Sequence, residues 1–429
     1  MQLKKISNSL GVASCALLQT GNAAASNDWR GDSSFLLYSE SDNRVTAFEP
    51  AVRGAIDLGD EEFVNFQVVV DALTGATPNG AHKSTAVQTF TNPSGNGEYT
   101  VQPGEFPLSK TFRDTRVAIT GEWDKPLDRL SSVLMGAAVS SEVDYTSTSL
   151  SGTYKRDFNN RNTTLATGLA LTYDLIFPIG EVPRGLNPMR VGGADQQRVS
   201  SDDTRTTLDF IIGFTQIVSR TTYFQLNYTF GTSSGYHNDY NNVLTVLDPA
   251  TNEPLVGGWL DPQDRPYLFE KRPDRRTRNT LFLRGVHHFT EDVMHLSYRY
   301  FADDWGIRSH TLDMKYRYIM TEKHYLQPHL RFYTQSKADF YRHDLVQGTD
   351  IDASGNVLVD YASSDYRVGA FDSLTYGLSY GYRVTPTSEF TVRGELMNQM
   401  IDNSEVPRPG EDTPDLTALI FQMGYSFIW

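Results

Sequence analysis

The chain is 429 residues long with a formal net charge of −14 and one cysteine, Cys15. The acidic balance and the lack of any Lys/Arg tract argue against nucleic acid as a partner. With a leader removed after Ala25, the mature chain would hold no thiol, which excludes disulfides, thiolate metal sites, covalent haem attachment and cysteine catalysis. No run approaches 18 apolar residues and the mean hydropathy is −0.41, so past the start no transmembrane helix is expected; a barrel stays open, because only every second strand residue must be apolar.

Residues 1–25 read as a secretory signal: Lys4 and Lys5, a modest apolar stretch from Leu10 to Leu18, then Ala23, Ala24 and Ala25 before Ser26. Lipoprotein processing at Cys15, preceded by Val12, Ala13 and Ser14, is the alternative reading of the same segment. Residues 26–429 then read as one outer-membrane barrel.

Period-two alternation recurs along that stretch. Val64, Phe66, Val68 and Val70 alternate with Asn65, Gln67, Val69 and Asp71; Phe224, Leu226, Tyr228 and Phe230 alternate with Tyr223, Gln225, Asn227 and Thr229; Leu312, Met314, Tyr316 and Tyr318 alternate with Asp313, Lys315 and Arg317. Strands are expected near 33–40, 44–58, 61–74, 109–123, 129–142, 147–157, 162–174, 204–217, 221–231, 278–289, 293–302, 308–320, 324–337, 368–384, 388–400 and 415–429. The last of these places Leu419, Phe421, Met423, Tyr425, Phe427 and Trp429 on one face. Tyr425, Phe427 and Trp429 are expected to face lipid and to act as the signal that the barrel assembly machinery reads.

Sixteen strands with both termini on the periplasmic side require every second connection to be short. Turns are expected at Gly59-Asp60, Asp124-Lys125-Pro126-Leu127, Ser219-Arg220, Thr290-Glu291-Asp292, Thr321-Glu322 and Thr385-Pro386-Thr387. The long insertions, near 75–108, 175–203, 232–277, 338–367 and 401–414, fall on the other side, as in outer-membrane barrels. Loop 232–277 is expected to carry its own small hairpin. The expected fold is therefore all-β, a transmembrane antiparallel up-and-down barrel of about 16 strands. A secreted sandwich or propeller also alternates, but no fixed self-similarity of propeller length is present.

The faces opposite the apolar ones carry both signs of charge: Glu49, Arg53, Asp114, Arg116, Asp209, Arg284, Arg299, Asp313, Lys315, Arg317, Arg331, Arg393 and Glu395. Lipid cannot solvate them, so they must line a wet lumen or pair with one another. Asp303-Asp304-Trp305-Gly306-Ile307-Arg308-Ser309-His310 gathers carboxylates, a serine and an imidazole. A calcium site on Asp303 and Asp304 is one reading of it, and a rim hydrolase another. Adjacent His287 and His288 point to opposite faces of a strand, which argues against a shared metal.

Several longer stretches, in order, resemble one bacterial family. These are Tyr38-Ser39-Glu40-Ser41 with Arg44-Val45, Leu73-Thr74-Gly75-Ala76-Thr77-Pro78-Asn79-Gly80-Ala81, Phe112-Arg113-Asp114-Thr115-Arg116, Arg156-Asp157-Phe158-Asn159-Asn160-Arg161-Asn162-Thr163-Thr164-Leu165, and 303–311. Together they are similar to the family of unknown function numbered 3570 (DUF3570). The resemblance implies an outer-membrane barrel, often encoded beside a small lipoprotein, a thioredoxin-like protein and a flavin transferase, and it supplies no catalytic residues. The functional expectation is a channel or export conduit rather than an enzyme, without a cofactor, in contact with outer-membrane lipid and the assembly machinery, and serving an extracytoplasmic redox or small-peptide system with a small lipoprotein as partner. A structural scaffold for a surface lipoprotein is the alternative, and the rim hydrolase a second one.

Overall fold

The computed structural model describes residues 29–91, 98–190, 198–255, 264–404 and 413–428. The expected signal, Cys15 and Trp429 lie outside the described residues. Sixteen strands close into one barrel. They are β1 (Trp29–Glu40), β2 (Thr46–Gly59), β3 (Glu62–Pro78), β4 (Leu108–Asp128), β5 (Ser131–Glu142), β6 (Tyr145–Phe158), β7 (Thr163–Ile176) and β8 (Asp203–Ser219). β9 (Thr222–Gly235), β10 (Arg275–His288), β11 (Val293–Asp303), β12 (Arg308–Ile319), β13 (His324–Gln335), β14 (Phe371–Thr385), β15 (Ser388–Ile401) and β16 (Leu416–Ile428) complete it. Each strand pairs antiparallel with its chain neighbours, and β1 pairs with β16 from Arg30↔Ile428 to Glu40↔Ala418. Closure satisfies the backbone amides that an open sheet edge would strand in hydrocarbon.

The period-two faces decide which side each residue takes. Leu208, Phe210, Ile212 and Phe214 are exposed on the outer face of β8, as are Leu165, Leu169, Leu171 and Tyr173 on β7; Thr207, Asp209 and Ile211 are buried on the inner face of β8. Near the short turns the outer face from β10 to β16 carries Phe289, Tyr316, Tyr380, Tyr382, Tyr425 and Phe427, with two polar tips tied down: Tyr316 donates to Asp292 at 2.7 Å, and His324 meets the Tyr380 hydroxyl at 2.7 Å. Aromatic bodies with hydrogen-bonded tips suit a membrane–water interface. At the closing seam the Phe427 ring lies over Gly31 of β1, where any Cβ would overlap it.

Every strand expected from the sequence overlaps one barrel strand, but one turn is displaced. Residues 124–127 continue β4, with Lys125 paired to Val133 and Pro126 to Ser132, and the chain reverses at Arg129 and Leu130. Pairing of β4 with β3 ends at Asp124, so the proline lies on an edge where its missing N–H leaves no partner unbonded. At Asp60 and Glu61 the backbone takes φ of 53° and 63°, the left-handed pair that a two-residue hairpin of matching twist needs.

The long connections all leave the opposite end, and there they fold together. Val243–Leu247 pairs antiparallel with Asp264–Phe269, which is the hairpin expected within 232–277. Pro188–Arg190 adds to one edge, and Leu345–Val346 adds in parallel to the other. Phe90, Val101, Met189, Val243, Tyr267 and Phe269 bury one face, and Leu244, Val246, Leu268, Leu345, Ile351 and Ala362 bury the other. The largest fully buried side chains belong to this cap and not to the barrel.

Candidate functional site

The inner wall and the cap above it form the candidate site. On the wall, several expected residues are brought together in ion pairs. Arg116 is bound to Asp71 across β3 and β4, and Asp209 accepts from Arg278 at 3.1 Å. Around β12, β13 and β15 a larger cluster forms. His329 spans Asp313 at 2.8 Å and Glu395 at 2.7 Å, Arg331 donates to Asp313 at 2.8 Å, and Arg393 lies 3.5 Å from Glu395. Arg317 stacks 4.2 Å above the Tyr325 ring, Arg299 lies 5.7 Å from that of Phe282, and Arg284 approaches His295 at 3.3 Å. Lys315 sits across from His329 on the same face, and Glu49, Arg53 and Asp114 lie on the inner faces of β2 and β4. His329 could not be singled out in the sequence, because its partners stand on other strands.

The charge of the wall is uneven. β10 to β15 present Arg284, Arg299, Lys315, Arg317, Arg331 and Arg393 inward, against Asp313 and Glu395, whereas β5 to β7 present Gly136, Ala138, Ser149, Ser151, Ala166 and Ala170 with Glu142, Lys155, Asp157 and Asp174 as their charged members. Although Arg331 points inward, between the outward Leu330 and Phe332, its side chain is 49% exposed. Inside a closed barrel the solvent it meets is in the lumen.

The 303–310 segment is a rim anchor. Asp303 accepts from Arg276 through one oxygen, at 2.8 and 2.5 Å, and from the amides of Trp305 at 3.1 Å and Ile307 at 2.8 Å through the other; Asp304 accepts from the amide of Thr277 at 2.9 Å. A calcium ion on Asp303 and Asp304 would have to displace these bonds. Ser309 is buried on the inner face, whereas His310 is on the outer face with its ring on the Tyr298 hydroxyl at 2.7 Å, so the two cannot act as nucleophile and base together.

The cap grips the rim on opposite sides. Arg44, beyond β1, lies 5.7 Å from the Tyr366 ring and donates to Pro414; Trp305 packs against Phe340; Tyr236, beyond β9, clusters with Tyr145, Ile176 and Val182; Gln335 donates to the carbonyls of Arg367 and Gly369. A folded body held at β1, β9 and β11 together spans the mouth. Gly80, at φ +82°, lets loop 79–107 approach Ser364 and Asn242 more closely than any side chain would permit.

At its centre lies a buried charge chain. Arg272 donates to Glu270 at 2.9 Å and to Asp365 at 2.7 Å, and Arg367 joins Asp365 to Asp239, both at 2.7 Å. Asn242 and Ser363 donate to Glu270 at 2.8 and 2.6 Å. Burial pushes the Asp365 carboxyl up, but Arg367 and Arg272 overcome it and hold the group far below the usual carboxylate range. Burial dominates at Glu270 and, with the like charges of Asp239 and Asp365, raises it despite Arg272. Such a chain fixes one arrangement of the loops, since removing one member leaves another charge buried and unpaired. Next to the rim, His237 meets Ser233 at 2.8 Å and the Gly235 carbonyl at 2.8 Å; burial, then Arg205, pushes its pKa down to about 3.

With that geometry in view, the comparisons with known proteins are specific about family. A family model described as a protein of unknown function (DUF3570) matches residues 7–427. The chain belongs to the DUF3570 family. A comparison with curated proteins finds no match. Among solved structures, this DUF3570 barrel is similar to the siderophore receptor PirA from Acinetobacter baumannii, at 9% identity and a TM-score of 0.42, over 94% of this chain and 60% of that one. It is also similar to a mutant of the ferric enterobactin receptor PfeA from Pseudomonas aeruginosa, at 10% identity and 0.43, over 86% of this chain and 53% of that one. The CymD monoaromatic hydrocarbon channel matches at 8% identity and 0.40, over 94% and 88%. The DUF3570 chain spans a little over half the length of the two receptors. Three of the motifs that carried the family resemblance sit at the seat of the cap: Tyr38 donates to Glu40, which in turn accepts from Val45; Gly80 packs on Ser364; Asp303 ties the rim.

Proposed function

We propose that the protein is an outer-membrane conduit with a wet, cation-rich lumen whose outer mouth is closed by the folded cap, so that passage requires the cap to rearrange. The observation that carries this reading is the inward yet half-exposed Arg331, set in the stretch of wall from β10 to β15 that also presents Arg284, Arg299, Lys315, Arg317 and Arg393 inward. A low-dielectric wall with an excess of one sign attracts the opposite ion and repels its own, which makes anions the favoured permeant. The buried chain through Arg272 is the element that must give way.

The test is conductance of the purified protein in planar bilayers. Small or rare openings are expected for the native chain, with larger ones after Arg272→Met loosens the cap, and anion preference falling or reversing in Arg331→Glu/Arg393→Glu. A barrel silent in both the native and Arg272→Met forms would sink the conduit. That outcome would favour a scaffold for a surface lipoprotein. Service to an extracytoplasmic redox or small-peptide system, with a small lipoprotein as partner, is the finer proposal. It rests on the family resemblance and calls for co-purification from native membranes, where recovery of no lipoprotein would count against it.

A further inference from the structure

One group of side chains in the cap has no role in the charge chain or in the lumen. His82 comes from loop 79–107, and His343 and Asp344 from loop 336–370, so residues some 260 positions apart meet. Nδ1 of His82 lies 3.1 Å from one Asp344 oxygen and 3.2 Å from the other, and Nδ1 of His343 lies 2.5 Å from that carboxylate. One ligand atom from each of the three residues falls within 4.8 Å of the others, and among the described residues no other trio of His, Cys, Asp or Glu does so. The two rings stand edge to face with centroids 5.7 Å apart. The His82 side chain is fully buried and that of Asp344 nearly so.

We propose that His82, His343 and Asp344 form a binding site for a divalent first-row transition metal of the zinc type, which clasps loop 79–107 to loop 336–370. Tetrahedral bonds of about 2.0–2.2 Å place ligand atoms roughly 3.3 Å apart, so the His82–Asp344 spacing already suits an ion, and the His343 ring needs to withdraw by less than about 1 Å. Two imidazoles with one carboxylate select against calcium and magnesium, which take oxygen donors, and the lack of sulfur selects against copper(I). The surroundings hold the ligands from behind: the His82 amide donates to Thr245 at 2.7 Å, and its carbonyl accepts from Gln88 at 2.8 Å. Three protein ligands leave a fourth position. A cleft lined by Pro78, Phe106, Tyr366 and Thr413 reaches His343, whose side chain is the most exposed of the three. The site joins the two loops that also carry Gly80 and Ser364, so an ion there would strengthen the clasp that closes the mouth. It does not depend on the conduit reading, since a scaffold barrel could carry the same clasp.

The experiment uses the full folded protein in detergent, stripped with a chelator and titrated with Co2+ and then Zn2+. Visible absorption reports coordination of Co2+, and elemental analysis reports stoichiometry. The expected result is one Co2+ per chain with the strong bands of a four-coordinate site, displaced by one Zn2+. In His343→Gln and Asp344→Asn the affinity should fall by at least the roughly 10–100-fold that losing a mere supporting partner costs. His310→Ala, on the outer face, should leave binding unchanged. A second reading is proteolysis: Zn2+ should slow cutting in 79–107 and 336–370 in the native chain and not in His343→Gln. If either variant fails to fold, the native titration still decides. No stoichiometric bands, or binding that persists in His343→Gln while heat-modifiable migration shows that variant folded, would overturn the site.

Discussion

The barrel wall and the cap solve the burial problem in opposite ways. Along β7 and β8 the large apolar side chains are turned outward and remain exposed to whatever surrounds the protein, while small and polar groups face inward. The cap is built like a soluble domain, with Leu244, Val246, Leu268 and Leu345 wholly buried and an ion chain beside them. The wall therefore draws its stability from a closed hydrogen-bonded ladder, and the cap from a dry core. Damage to one region should be separable from damage to the other, and each perturbation below tests that separation.

The largest effect belongs to the seam. Deleting residues 416–428 removes the strand that pairs with both β15 and β1, stranding two edges whose unpaired groups cost several kcal/mol each in hydrocarbon. No heat-modifiable barrel should form, and the chain should be degraded or remain in the periplasm. An assembled barrel lacking β16 would show that closure does not govern assembly.

A smaller effect, confined to the cap, is expected of Leu244→Ala. Its fully buried side chain lies in one apolar cluster with Val246, Leu268, Leu345 and Ile351, and such truncations cost about 2–5 kcal/mol. Limited proteolysis should then cut within 236–274 and 336–370 while the barrel keeps its heat-modifiable migration. Simple exposure of loops 232–277 and 338–367, as the sequence implied, would have made the native chain equally easy to cut there. Among the described residues of the folded cap, cutting is expected at exposed tips such as 249–251 and 353–354. If the barrel melted together with the cap, the two regions would be a single cooperative unit.

The mildest perturbation is acidification. His237 is held neutral, with a folded-state value of about 3, well below that of an exposed imidazole. Between that value and about 6.5 the unfolded cap binds more protons than the folded one, so the stability His237 contributes is complete above about 6.5 and is lost as the pH falls through the window. Trp305, whose ring lies 5.5 Å from His237, offers a nearby fluorescence probe. Its signal should shift on acidification in the native chain and shift less in His237→Gln. An identical pH profile in the two would remove His237 as the sensor.

The barrel was legible because its signal is local. A strand buried on one side and wetted on the other must alternate, so Phe224 to Phe230 or Leu312 to Tyr318 declare both strand and face without reference to distant residues. Short turns against long insertions likewise separated the two ends of the barrel. The turn near Pro126 was misplaced for a related reason. Proline usually punctuates, but whether it ends a strand depends on how far the neighbouring strand reaches, which is a fact of register.

The charged faces were visible as faces, but not as pairs. That Asp313 and Glu395 would share His329, or that Arg278 would reach Asp209, follows from which residues stand opposite in neighbouring strands. Ser309 and His310, neighbours in the chain, were parted by the same alternation that identified their strand.

By itself, then, the sequence determined an all-β barrel, its strand count, the shared end of its long connections and which faces carry the charges, because each depends on a repeat or a spacing that a short stretch of chain contains. Only the tertiary structure decided that the insertions fold into one cap, that Arg272 links Glu270 to Asp365, and that His82 meets His343 and Asp344. Those contacts join segments that are far apart in the chain and carry no common period. They exist because closing the barrel brings the loop ends into one ring, where burying apolar loop residues against each other offsets the entropy of ordering them.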